Sequence, residues 1–108
     1  MTDSLPVCPT PETCAKYGLT QDDWVRLFEG QGRCCAICKK PSSTGRYNID
    51  HEHVKGWRRM EPRFRRWFVR GIVCHFCNHY YLARGLTLEK AKAVLEYLER
   101  YNHLKGLR

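Results

Sequence analysis

No stretch of this chain approaches the roughly 18 consecutive apolar residues that crossing a bilayer requires, so no membrane span is expected. The first twenty residues, "MTDSLPVCPTPETCAKYGLT", lack the basic start and unbroken apolar core of a signal peptide. A cytoplasmic protein is therefore expected. No internal repeat is found. Acidic residues are scarce: 11 Asp and Glu stand against 19 Lys and Arg, giving a formal net charge of +8 over 108 residues. A balance of this kind suits a polyanionic partner, nucleic acid or an acidic surface. The length fits one domain whose modest core would gain from a staple.

Cysteine is the residue in surplus, with seven in the chain. In a secreted protein they would suggest a disulfide framework, but the odd count and the missing signal favour metal binding in a reducing compartment. Cys35 and Cys38 form one C-x-x-C pair and Cys74 and Cys77 another. Each pair can give two thiolates to one ion, and two pairs complete the tetrahedral shell of a structural zinc. The spacing between the pairs exceeds that of ordinary fingers, so such an ion would clamp two distant parts of the chain around an inserted strand pair. A redox dithiol is the weaker alternative. Cys34 could replace Cys35 only with a C-x-x-x-C spacing, and Cys8 and Cys14 have no evident partners.

Residues 1–17, rich in Pro and Thr and without an apolar period, read as an irregular arm ahead of a domain spanning 18–108. Thr20 and Asp23 make a capping-box start, Trp24, Leu27 and Phe28 share one helical face, and Gly30 and Gly32 end the helix. A short strand is expected over 47–54 and a returning strand over 67–73, with Pro62 interrupting any helix between them. A further helix is expected over about 75–83, closed by Gly85. Thr87 caps a final helix over 87–103, whose stripe of Leu88, Ala91, Val94, Leu95, Leu98, Tyr101 and Asn102 should cover the core, a dimer seam being the alternative.

Within the first strand lies "IDHEH", residues 49–53. Burying so many polar groups costs several kcal/mol unless something binds or pairs them. The cluster is therefore a solvated edge or a site. The cysteine pairs bracket it, and Asn78 follows the last cysteine directly, so clamping Cys77 would fix Asn78 at the start of the next helix. Asp50 and Asn78 offer hard oxygen donors of the kind Mg²⁺ takes, and neutral His51 beside them can accept a proton from water near physiological pH. These are the parts of metal-assisted phosphodiester hydrolysis. Taken singly, each residue reads as ordinary surface; together with the cysteine frame they read as a site.

The segments "YGLTQDDWVRLFEGQGRCCAIC", "IDHEH" and "VRGIVCHFCN" together resemble the recombination endonuclease VII-like group of the HNH nuclease superfamily, found largely in bacteriophages. The resemblance covers about residues 17–81, and the combination of motifs is specific where D-H-x-H alone would be weak. It implies a small α+β protein: a ββα-metal (HNH, His-Me finger) core stapled by a four-cysteine zinc site, with flanking N- and C-terminal helices. It also implies Asp50 and Asn78 as ligands of a catalytic Mg²⁺ or Mn²⁺, His51 as general base, and His53 as a contact to the scissile phosphate or an aid to proton transfer. The products implied are 5′-phosphate and 3′-hydroxyl ends, and the location is the cytoplasm of a bacterial host if the chain is phage-encoded. In an ideal strand His51 and His53 face one way and Asp50 the other, so the strand must twist or end near Asp50.

The segment between D-H-x-H and R-G-x-x-C is longer than in such relatives. It carries Lys55, Arg58, Arg59, Arg63, Arg65, Arg66 and Arg70, interleaved with Trp57, Phe64, Trp67 and Phe68. Arginines grip phosphates and aromatics stack on unpaired bases, so these basic residues and Trp57 are candidate DNA contacts. The plainer alternative has Trp67 and Phe68 packing the second strand while the arginines stay hydrated. DNA, duplex or branched, is the partner this composition fits, for a monomer or a homodimer. A zinc-stapled module that binds nucleic acid or a host protein without cutting is the competing function.

Overall fold

A computed structural model describes residues 8–107. Two strands, β1 (Tyr47–His51) and β2 (Val69–Cys74), form an antiparallel pair at its centre. Helices α1 (Pro11–Lys16) and α2 (Gln21–Gly30) precede them. A one-turn helix α3 (Pro62–Arg65) lies in the connection between the strands. After β2 the chain passes through α4 (His75–Cys77) and a π-helical turn (Asn78–Leu82) into the long α5 (Leu88–Gly106).

The start of the chain corrects one expectation. Residues 1–7 of the expected arm lie outside the described residues, but 11–16 are helical. Thr10 caps α1 by accepting from the Thr13 amide, and Pro11 sits in its first turn, where a missing N–H costs nothing. Composition concealed this helix because it is so short. Its Cys14 is fully buried, with Cys8 packed beside the same cluster, and burial raises both thiols. These two cysteines act as small apolar fillers.

The expected capping box of α2 is present: Thr20 N–H donates to Asp23 Oδ2 at 2.9 Å and Asp23 N–H to Thr20 Oγ1 at 3.0 Å. The helix buries Trp24 and Phe28, whose rings stack at 4.8 Å, against Ile49 and Ile72 of the sheet. A second cluster, Cys35, Val73, Cys74 and Cys77, packs with Ala36, Cys38 and Leu82. The α1–α2 turn closes against α3 at Gly18, whose positive φ of 75° and contact with the Pro62 carbonyl leave no room for a Cβ.

Two strand ends differ from expectation. Strand β1 stops at His51, while β2 starts at Val69 and leaves Trp67 77 % exposed. Trp67 therefore does not pack the second strand. The final helix differs more: no α5 residue is buried, and Leu88, Leu95 and Leu98 are each more than half exposed. The apolar stripe that should have covered the core has nothing to cover, since α1, α2 and the cysteine cluster already bury the sheet residues.

Candidate active site

The four-cysteine group assembles as the spacing required. The Sγ atoms of Cys35, Cys38, Cys74 and Cys77 all lie within 4.8 Å of one another. A tetrahedral ion with Zn–S bonds near 2.3 Å would set its ligands about 3.8 Å apart, so the group fits one such ion. Burial raises the Cys35 thiol, but amide hydrogen bonds from the Cys74, Cys38 and Ile37 backbone outweigh it and bring it down to about 6. Burial pushes Cys77 the opposite way, with the neighbouring thiols adding to the rise. Cys34 stands outside the group, its Sγ 3.2 Å from the Gln31 carbonyl oxygen.

The cluster is coupled to the sheet by a residue that sequence reasoning passed over. Gln31 Nε2 donates to Ile72 O at 2.8 Å and to Cys34 O at 3.0 Å, while Gln31 Oε1 accepts from Ile72 N–H at 2.8 Å. Its amide thus behaves as a short third strand against β2. Gly71 eases the approach, because a Cβ there would crowd Gln31 Oε1 at 3.0 Å. Only the position of Gln31 just past a helix end could have hinted at it.

The strand pair carries a bulge beside Asp50, and β1 ends one residue later at His51. Asp50 pairs with Gly71 but His51 pairs with Val69, leaving Arg70 as the extra residue on β2. A bulge bends the strand and re-aims side chains. Here it aims Arg70 onto buried Asp50: Arg70 Nε donates to Oδ2 at 2.7 Å and an Arg70 terminal N–H to Oδ1 at 3.0 Å. The Asp50 hydrogen bond raises the Arg70 guanidinium further above its ordinary range. An ionised carboxylate has about four lone-pair directions, of which this fork uses two, so Asp50 keeps donor capacity for a cation.

Asp50 and His51 open onto different spaces. Asp50 borders a cavity of about 280 Å³ with Arg70 and Leu82, the residue that ends the turn begun by Asn78. His51 and His53, with ring centroids 5.3 Å apart, line a groove of about 700 Å³ together with Lys55, Trp57, Arg58 and Arg59. Asn78 is half-buried at the junction of α4 and the π-turn, directly after Cys77. His51 Nδ1 lies 3.0 Å from the Glu52 carbonyl oxygen, which can only accept. In the neutral ring Nδ1 therefore carries the proton and Nε2 is left with its lone pair.

The basic segment divides in the same way. Lys55, Arg58 and Arg59 are exposed along the groove. Arg63 pairs with Glu61 at 2.9 Å, and Arg66 stands 4.0 Å from Asp23. Arg65 donates to three backbone carbonyls, those of Lys16, Trp57 and Arg58. Trp57 is half-buried with its ring against His51, whereas Trp67 is free to stack. His75 and His79 stack on each other at 5.9 Å, away from the His51 groove. No helix among the described residues is long and apolar enough to cross a membrane.

Fold and site together define a small α+β domain in which a four-cysteine cluster joins the segment after α2 to the end of β2, while D-H-x-H begins at the end of β1 and runs on beside a basic groove. The chain belongs to the recombination endonuclease VII family, whose model it matches over residues 11–100. It is 36% identical over 86 residues to the Gene 59 protein of Mycobacterium phage L5, an alignment covering 78% of this chain and 46% of that protein. It is 32% identical over 88 residues to the Gene 59 protein of Mycobacterium phage D29, covering 80% and 47%. The chain thus spans about half the length of these relatives. No solved structure matches it.

Proposed function

We propose that this protein is a divalent-metal-dependent HNH endonuclease that hydrolyses phosphodiester bonds in DNA, nicking or cutting duplex or branched substrates. The observation that carries the proposal is His51: its Nδ1 proton is tied to the Glu52 carbonyl, which leaves a basic Nε2 in a groove edged by Lys55, Arg58 and Arg59. Nε2 takes a proton from water as the water oxygen attacks phosphorus. The P–O3′ bond breaks and the departing O3′ takes a proton from solvent water, leaving a 3′-hydroxyl on one fragment and a 5′-phosphate on the other. His53 faces the same groove, where it would contact the scissile phosphate. Asp50 and Asn78 would hold Mg²⁺ or Mn²⁺, which when bound supplies charge stabilisation for the phosphate and the departing oxygen. Arg70 holds the Asp50 carboxylate in orientation for that task.

Zinc is the ion we assign to Cys35, Cys38, Cys74 and Cys77, in a structural role, since four thiolates fill its shell and leave no open position. The uncovered apolar stripe of α5 favours a homodimer paired through that helix. The family match supports the nuclease reading over a binding module that never cuts, because such a module has no need of a free imidazole in its groove. The test is nicking of supercoiled plasmid with and without Mg²⁺ or Mn²⁺, by the wild type and by His51→Ala. Metal-dependent nicking lost in the variant, with DNA affinity kept, is the expected result. Equal nicking by both proteins would remove His51 as the base, and no nicking by folded, zinc-loaded wild type would favour the binding module.

A further inference from the structure

The imidazole of His51 is fixed by more than its hydrogen bond. Its ring lies on the indole of Trp57 with centroids 4.1 Å apart and planes 5° from parallel. The bond from Nδ1 to the Glu52 carbonyl sets which nitrogen is free, but leaves the ring able to tilt about that bond. A parallel indole at van der Waals distance removes the tilt. Between them the two contacts set the direction of the Nε2 lone pair.

Trp57 is in turn held from several sides. The Arg65 guanidinium lies 4.2 Å from the indole centroid, and the Tyr17 ring 5.7 Å from it. Arg65 is itself pinned by donating to the carbonyls of Trp57 at 3.2 Å, Arg58 at 3.0 Å and Lys16 at 2.8 Å, which ties the groove wall to the end of α1. A guanidinium fork spent on three backbone oxygens is a rigid support. The indole Nε1 is buried without a partner. Leaving such a donor unpaired is unfavourable, so the position forgoes a hydrogen bond where a flat ring lies under the imidazole.

We propose that Trp57 is a positioning residue for His51, with Arg65 as its anchor, and that neither serves as a DNA contact. The proposal rests on His51 being the general base. A misplacement of about 1 Å can cost about 100-fold in rate, which is the loss expected for Trp57→Leu at saturating DNA. Its DNA affinity should be unchanged. Trp57→Phe restores a flat ring that can stack on the imidazole, so this variant should recover most of the lost rate.

The experiment measures the saturated nicking rate, metal-free DNA affinity, thermal melting and the His51 ring-proton NMR shifts for wild type, Trp57→Leu, Trp57→Phe and His51→Ala. The stacked indole should shift the His51 ring protons upfield in the wild type and in Trp57→Phe, and not in Trp57→Leu. Undiminished cleavage by Trp57→Leu, or a variant that loses affinity but cleaves normally once saturated, would overturn the proposal. Cleavage surviving in His51→Ala would instead defeat the assignment of the base, with the NMR shift still reporting the stack. Should Trp57→Leu fail to fold, Arg65→Lys keeps the charge and removes the fork. It should lower the saturated rate with affinity intact, and an unchanged rate would overturn the proposal.

Discussion

Replacing Gln31 with Ala should destabilise the protein strongly for a change to a half-exposed polar side chain. Three hydrogen bonds disappear: two from Nε2, to Ile72 O and Cys34 O, and one to Oε1 from the Ile72 amide. Their losses are unequal. Ile72 O keeps a second donor in the Ala36 amide at 3.1 Å, so it is not stranded. The Ile72 N–H is the exposed weakness, because Ile72 is 0 % solvent-accessible and no water reaches it. An orphaned buried donor costs about 1–3 kcal/mol, and the two carbonyl bonds add about 0.5–1 kcal/mol each, for a total of about 2–5 kcal/mol with a midpoint of about 3.5 kcal/mol. In a domain of this size that is about 15 °C of melting temperature. Thermal and urea unfolding of zinc-saturated protein, followed by circular dichroism, reads both quantities. Gln31→Glu supplies a sharper signature. One carboxylate oxygen can still accept from Ile72 N–H, but the other then faces two carbonyl oxygens, which raises the folded-state pKa of Glu above its unfolded value. Stability of that variant should therefore be greatest below the unfolded carboxyl range and fall as pH rises through the folded one. A loss below about 1 kcal/mol in Gln31→Ala, or a Gln31→Glu variant with no such pH dependence, would refute the idea that this amide acts as a third strand.

Further outcomes follow from the other contacts. Cys35→Ser should abolish stoichiometric zinc in mass spectrometry and leave the chain largely unfolded, while Cys34→Ser should keep both the metal and the fold. The Thr20 backbone hydrogen bond holds the Asp23 carboxyl below its ordinary value, so its contribution is complete above the unfolded carboxyl range and is lost as pH falls through the folded one. Acid unfolding of Asp23→Asn should accordingly show a shallower decline than the wild type. Replacing Arg58 and Arg59 together with Ala should reduce the salt slope of DNA binding by about 1.8, whereas Arg65→Lys should leave that slope as it is. A slope unchanged by the double replacement would show that the His51 groove is not where phosphates lie.

Local chemistry made much of this molecule legible. The two C-x-x-C pairs gave the cluster its four members because two thiolates at that spacing can chelate one ion, and two pairs complete a tetrahedral shell. The Thr20 box, the Trp24 and Phe28 face and the Thr87 cap are helix signals that act within one or two turns, so the chain carries them openly. The α1 helix was hidden because a six-residue element has no room for an apolar period.

What no pattern along the chain could supply are contacts between residues far apart in it. Arg65 and Trp57 read as two more members of a basic aromatic segment, yet one spends its fork on three carbonyls and the other lies under His51. Arg70 meets Asp50 at a bulge in the strand pair, and Gln31 meets Ile72 beside Gly71, which has no Cβ to crowd it. The stripe of α5 has the right period to cover a core, and its exposure depends on the sheet residues having been buried by other elements first. The sequence by itself determined which chemical groups are present and which short-range elements form. Tertiary structure alone decided which charges are spent on backbone oxygens, which ring lies against His51, and which apolar face has no cover, because each depends on which surfaces of the folded chain meet.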